Sequence, residues 1–148
     1  MKRIRRVMHA TDFSRASSRA LDAAVNFAKA NKAELLVVHV LVPNRSYPAD
    51  GEADPAFYVE LEQNAWRRAE AALKKLTTKI KKARVKVRGL LLKGTAHEQI
   101  VRAAKNRRAG LIVIGTHGRT GISKLLMGSV AGRIVSAASC PVLTVRGK

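Results

Sequence analysis

Residues 111–129 read Leu-Ile-Val-Ile-Gly115-Thr-His117-Gly118-Arg119-Thr-Gly121-Ile-Ser-Lys124-Leu-Leu-Met-Gly128-Ser129. Four consecutive apolar residues without alternation fit a strand covered on both faces, as in a parallel sheet flanked by helices. Glycines then break the pattern, and a helix opens near Gly128-Ser129 and runs to about Ala138. The segment therefore reads as strand, loop and helix. The same alternation continues outward in both directions. Downstream, Val142 to Val145 makes a last strand, with Pro141 at its start, where a missing N–H does no harm. Upstream, Gly110 ends a helix that reaches about Arg107 and opens at Thr95, where Thr95 and Glu98 have capping-box spacing. Gly94 turns the chain between that helix and a strand from Val85 to Leu92. A long helix from about Ala56 to Lys82 keeps Leu61, Ala65, Ala69, Ala72, Leu73, Leu76 and Ile80 at helical spacing. A loop spans Val42 to Pro55. Before it, Glu34 to Leu41 (ELLVVHVL) is a strand buried on both faces. The first helix follows Ser14, a candidate N-cap, and runs to about Asn31. The first strand lies in RIRRVMHA and ends at Thr11-Asp12.

Five strands alternating with four helices predict a parallel sheet with right-handed crossovers and helices on both faces. In such sheets ligands sit beyond the C-terminal strand ends, where the strand order reverses. Those ends are Ala10-Thr11-Asp12, Val40-Leu41 and Gly115-Thr116. With 148 residues, 47% of them apolar, the chain is expected to form one domain, residues 1–148, with a full core. One cysteine excludes an internal disulfide. No apolar run approaches the roughly 18 residues of a membrane span. The basic N-terminus lacks the apolar core of a signal peptide, so the expected location is cytoplasmic.

The charge is unusual. The chain carries 29 Lys plus Arg against 10 Asp plus Glu, a net +19. Residues 63–148 hold 20 of the bases and only two acids, Glu70 and Glu98. Such a surplus suits polyanions, whether nucleic acid, nucleotide phosphates or an anionic membrane surface, and otherwise forms a solvated face. Only 4% of residues are aromatic, too few for a base-stacking platform.

The glycine segment carries the candidate chemistry. Glycines let backbone amides approach a phosphate without a Cβ in the way. Ser129 adds a hydroxyl, and the helix that begins there points its positive end at the same place, worth about 0.3–1 kcal/mol per anionic charge. Arg119 and Lys124 add Coulomb attraction. The plainer alternative is a tight turn with no ligand. No G-x-x-x-x-G-K-[ST] phosphate loop is present, and no G-x-G-x-x-G follows the first strand.

Gly115-x2-Gly118-x9-Gly128-Ser129 resembles the G-2x-G-9x-G-[S/T] signature of the universal stress protein family, in its nucleotide-binding branch. The likeness extends over nearly the whole chain: Ala-Thr-Asp12-Phe-Ser after the first strand, Leu-Val-Val-His39-Val40 in the second, the Gly94 turn and the closing Cys140-Pro141-Val-Leu-Thr-Val. The resemblance implies an ATP-binding site. Asp12, with Ala10 and Thr11 beside it, would meet the adenosine. Val40 would read the adenine edge through its backbone. Gly115 and Gly118, with His117 and Arg119 between and beside them, would line the ribose and phosphate path. Gly128, Ser129 and Val130 would hold the triphosphate through N–H groups and hydroxyl. Ala10 departs from members that have Pro there, which removes an apolar wall but no hydrogen bond. The resemblance also implies a homodimer built partly on the last strand, which would otherwise be an unguarded edge. The expected fold is an α/β three-layer doubly wound sandwich, Rossmann-like, with a five-stranded parallel sheet in the order 3-2-1-4-5.

Catalysis is not expected beyond weak ATP hydrolysis. Phosphoryl transfer uses Mg²⁺ on carboxylates and a positioned base, yet Asp12 is the single acid at a C-terminal strand end, and residues 99–148 contain none. Mg²⁺ would ride mainly on the phosphates. No catalytic residue and no metal site is assigned. His117 reads as an exposed loop residue, with phosphate contact as the alternative; His39 reads as a core residue with one hydrogen bond. His9 and His97 lack the further ligands of a zinc site. Cys140 reads as a small buried hydrophobe, and Tyr58 and Trp66 as packing under the 43–55 loop. The expected function is an ATP-binding stress-response or signalling module. The alternative is a basic nucleic-acid-associated protein that uses the second half of the chain.

Overall fold

The computed structural model describes residues 2–43, 54–117 and 127–147. The elements are β1 (Arg6–Ala10), α1 (Arg15–Asn31), β2 (Glu34–Leu41), α2 (Pro55–Lys82), β3 (Val87–Lys93), α3 (Ala96–Asn106), β4 (Leu111–Gly115), α4 (Ser129–Ala137) and β5 (Val142–Val145). The strands form one parallel sheet in the order β3-β2-β1-β4-β5, as expected. The chain steps outward from β1 to β2 and β3, then returns to place β4 on the other side of β1. The order therefore reverses between β1 and β4.

Period-2 alternation in the central strands splits the core into two layers. Val7, Leu35, Val37, Leu111 and Val113 face one side, where Ala20, Ala24 and Ala28 of α1 and Leu73 and Ile80 of α2 cover them. Met8, Leu36, Val38, Ile112 and Ile114 face the other side, against Ile100 and Ala104 of α3 and Ala131 and Ile134 of α4. Each large aliphatic side chain removed from water this way contributes about 1.5–3 kcal/mol. The alanines of α1 recur every fourth residue, so one small-residue stripe lies flat on the sheet. At 28 residues α2 is about 42 Å long, against roughly 23 Å for the seven residues of β3. Its buried residues, Ala69, Leu73 and Ile80, all lie in its second half. In the first half, Glu62 pairs with Lys93 at the end of β3 at 2.9 Å.

Three local expectations are corrected. Ser14 occupies the N-cap position of α1, but its side chain makes no cap bond, and its buried Oγ has no partner; the neighbouring Asp12 Oδ1 instead accepts the Ser14 N–H at 2.9 Å. Thr95 likewise gives α3 no side-chain cap. Gly94, at φ +138°, sets that turn through the backbone, and a Cβ there would lie 2.9 Å from the Gln99 amide nitrogen. β3 pairs from Val87 rather than Val85; Val85 is buried ahead of it, and the Lys86 carbonyl accepts the Leu35 N–H at 2.8 Å.

Candidate functional site

β1 ends in a turn tied by its own side chains. Thr11 Oγ1 accepts the Phe13 N–H at 3.0 Å, and Ser17 Oγ donates to the Ser14 carbonyl at 2.8 Å. Phe13 adopts φ 62°, a left-handed conformation unfavourable for a bulky residue, and its ring lies 4.5 Å from that of His39. His39 Nδ1 donates to the Thr11 carbonyl at 2.7 Å, because a carbonyl can only accept. The second strand is thereby latched to the first just where the chain leaves the sheet. His39 makes the one bond expected of it, but it is half-buried and lines a cavity rather than lying in the core.

Beyond this turn a cavity of about 360 Å³ opens at the C-terminal ends of β1, β2 and β4, within the size range of ligand pockets. Ala10, Thr11 and Asp12 line it from β1, Val40 from β2, Gly115 and His117 from the end of β4, and Gly128, Ser129 and Val130 from the start of α4. Nine residues singled out from sequence thus share one cavity, located where the strand order reverses. Gly118 and Arg119 lie outside the described residues, as do Gly121 and Lys124, and as does most of the loop expected to cover Tyr58 and Trp66. Val38, Val42, Ile100 and Ile114 add apolar walls, joined by Ala96 at the start of α3. Sequence reading passed these over, although Val38 precedes Val40 by two in the same strand and so shares its face. Thr116 and Ser17, both buried, also line it.

The phosphate-side expectation is refined at Gly128. Its N–H is committed to the Thr116 carbonyl at 2.7 Å, so it is not a donor facing a ligand. Glycine suits that closeness: a Cβ at 128 would stand 3.0 Å from the same carbonyl oxygen, which would have to give way. The clasp fixes the start of α4 against the end of β4. The first intrahelical bond of α4 runs from Gly132 N–H to the Gly128 carbonyl at 3.0 Å. The amides of Ser129, Val130 and Ala131 precede it, and these three residues line the cavity. They supply the positive helix end. A more open groove of about 480 Å³ continues from Gly128 and Ser129 past His97 to Arg133. His117 is half-buried rather than exposed, and its Nδ1 lies 2.9 Å from Thr116 Oγ1.

His9 sits beneath the site, fully buried, with Nδ1 3.0 Å from the Val113 carbonyl and Nε2 unpartnered. Burial pushes its pKa down to about 4, against smaller upward pulls from the Val113 bond and the Asp12 charge. It is therefore a neutral framework residue. Asp12 is the single carboxylate among the residues lining the cavity. No three His, Cys, Asp or Glu side chains gather as a metal site among the described residues. Cys140 is half-buried, and burial raises its thiol pKa.

A parallel 3-2-1-4-5 sheet with an apolar cavity under a helix N-terminus defines a doubly wound, Rossmann-like α/β fold with its crevice at the switch in strand order. The sequence profile of the universal stress protein family matches residues 3–146. Universal stress protein MJ0531 of Methanocaldococcus jannaschii is 34% identical over 144 residues, spanning 96% of this chain and 82% of that one. Protein MJ0577 of the same organism superposes with a TM-score of 0.85 over 99% of both chains, at 24% identity. A universal stress protein from Archaeoglobus fulgidus, solved in complex with dAMP, superposes with a TM-score of 0.65 at 25% identity, covering 98% of this chain and all of that one. The chain belongs to the universal stress protein family.

Proposed function

We propose that this protein binds an adenine nucleotide, ATP in the first instance, in the cavity between β1, β4 and α4, and acts as a cytoplasmic stress-response or signalling module. The observation that carries this is the pairing of an apolar chamber (Val38, Val40, Ile100, Ile114) with the α4 amides at its rim. A purine fits the first and a phosphate the second. The relative solved with dAMP supports the same ligand class. Asp12, held by its bond to the Ser14 N–H, faces the nucleoside. Mg²⁺ would travel on the phosphates, with Asp12 the one carboxylate among the described lining residues. With one carboxylate among the described lining residues, hydrolysis has little support there, and occupancy rather than turnover is the signal. One domain spanning 1–148 performs this role as a homodimer. The dimer is supported by the exposure of Leu143 on β5, an outer strand of the sheet.

The test is thermal. Ligand at 100 times its Kd adds about 2.7 kcal/mol, which is roughly 5–10 °C in a domain of this size. ATP should raise the melting temperature, inorganic triphosphate should raise it less, and Gly128→Val should abolish the ATP shift. An unmoved transition with millimolar ATP at moderate salt refutes the reading.

A further inference from the structure

The opposite end of the sheet, where the strands begin, carries a second feature that the nucleotide site does not use. Fifteen of the 29 Lys and Arg, but only one of the ten Asp and Glu, fall in four short segments: 2–6, 29–34, 79–88 and 105–108. In a parallel sheet these segments converge, because each is a strand start or the helix end that feeds it. The surplus that sequence alone assigned to the second half is thus drawn from both halves onto one face. The one acid, Glu34, is buried and already paired, 3.1 Å from Arg6 and 3.5 Å from Arg88.

Helix dipoles account for the cations in the last turns, such as Lys29 and Lys105. They do not account for those beyond the helices. Each of three helix-to-strand turns contains a cation in the left-handed region: Lys32 at φ 50°, Arg84 at φ 60° and Arg108 at φ 53°. Glycine or asparagine takes such positions without strain. Lys86 and Arg107 stand beside them, exposed, and Arg5 precedes β1, also exposed. Between the ends of α1 and α2 lies a groove of about 520 Å³ lined by Lys29, Lys32, Arg84 and Lys86, with Glu34 at its base.

We propose that this end binds the phosphodiester backbone of a nucleic-acid duplex, without sequence preference, while the nucleotide cavity stays open at the other end. The strands separate the two by about 16–26 Å. Guanidinium groups suit phosphate through paired hydrogen bonds. None of the large exposed apolar residues, Phe57, Val59, Leu61 and Trp66 among them, lies in the four segments, so the face lacks the side chains that insert into a bilayer. It equally lacks a stacking platform, which favours duplex over single strands.

The experiment measures fluorescence anisotropy of a labelled random-sequence duplex of about two helical turns across a salt series. About five phosphate contacts give a slope of log K against log salt near −4 to −5. Replacing Arg5→Gln, Lys86→Gln and Arg107→Gln together should weaken binding by about 30-fold or more at low salt and flatten the slope by roughly two to three. Removing the same charge elsewhere, by Arg19→Gln, Arg67→Gln and Arg68→Gln, should weaken it less than threefold. Saturating ATP at matched ionic strength should leave the affinity unchanged. Equal losses in both triples would overturn the proposal in favour of diffuse net charge. Full competition by ATP would overturn it by placing the duplex in the nucleotide cavity. Binding to phosphatidylserine vesicles with none to duplex would overturn it in favour of a membrane. The duplex arm reads independently of whether ATP binds.

Discussion

Acid should loosen this protein through one side chain, His9. In the unfolded chain its pKa is 6.5; in the folded protein burial pushes it down to about 4. Between those values the unfolded state holds more protons, so stability rises with pH. The contribution is intact above pH 6.5 and is lost as pH falls toward 4. The full difference is about 3 kcal/mol, at 1.36 kcal/mol per unit. Between pH 7.5 and pH 5 the loss is about 2 kcal/mol by the same linkage relation, or roughly 4–8 °C of melting temperature. His9→Asn retains a donor for the Val113 carbonyl and removes the titration. Urea unfolding of both forms at several pH values isolates the term, because every other titrating group is shared. The wild type should lose about 2 kcal/mol more than the variant over that interval. Parallel stability curves for the two proteins would refute the assignment of His9 as a buried neutral residue.

Gly94→Ala should cost about 1–3 kcal/mol in urea unfolding, since φ +138° strains any Cβ and the Gln99 side chain must move. Glu34→Gln should cost about 1–2 kcal/mol, less than a fully buried pair would, because its partners Arg6 and Arg88 keep 42% and 53% of their side-chain surface in water. Leu143→Asp on β5 should convert the proposed dimer to monomer in analytical ultracentrifugation; equal sedimentation coefficients for wild type and variant would overturn a dimer built on β5. Asp12→Ala should weaken ATP binding and, by removing the bond to the Ser14 N–H, lower stability by roughly 0.5–2 kcal/mol; unchanged affinity would exclude Asp12 from the site.

The strand-helix alternation was legible because buried parallel strands leave apolar runs such as ELLVVHVL and LIVI that no other element explains. Strand order came with the family resemblance rather than from the apolar runs, which fix a parallel sheet but not its sequence of neighbours. Hydroxyl caps were not legible: Ser14 and Thr95 have the right identity, spacing and extended backbone, yet neither side chain makes a cap bond, and at α1 the Ser14 carbonyl accepts the Ser17 N–H at 3.2 Å. That Gly115, Gly128 and Ser129 come together at one rim followed from their spacing, yet spacing could not show that the Gly128 N–H closes onto Thr116 while the next three amides precede the helix ladder. The apolar walls were missed because Val38, Ile100 and Ile114 also read as core, and they are core until the sheet ends above them. The basic face was hidden because its residues are far apart in sequence; only parallel topology brings Arg5, Lys32, Arg84 and Arg107 to one end.

The most direct test of the central claim is an amide NMR titration with ATP at near-physiological ionic strength. Shifts concentrated on Thr11, Val40, Gly115, Ser129 and Val130 are the predicted result. Shifts confined to the basic end around Arg84, Lys86 and Arg107, or no shifts at all, would contradict it.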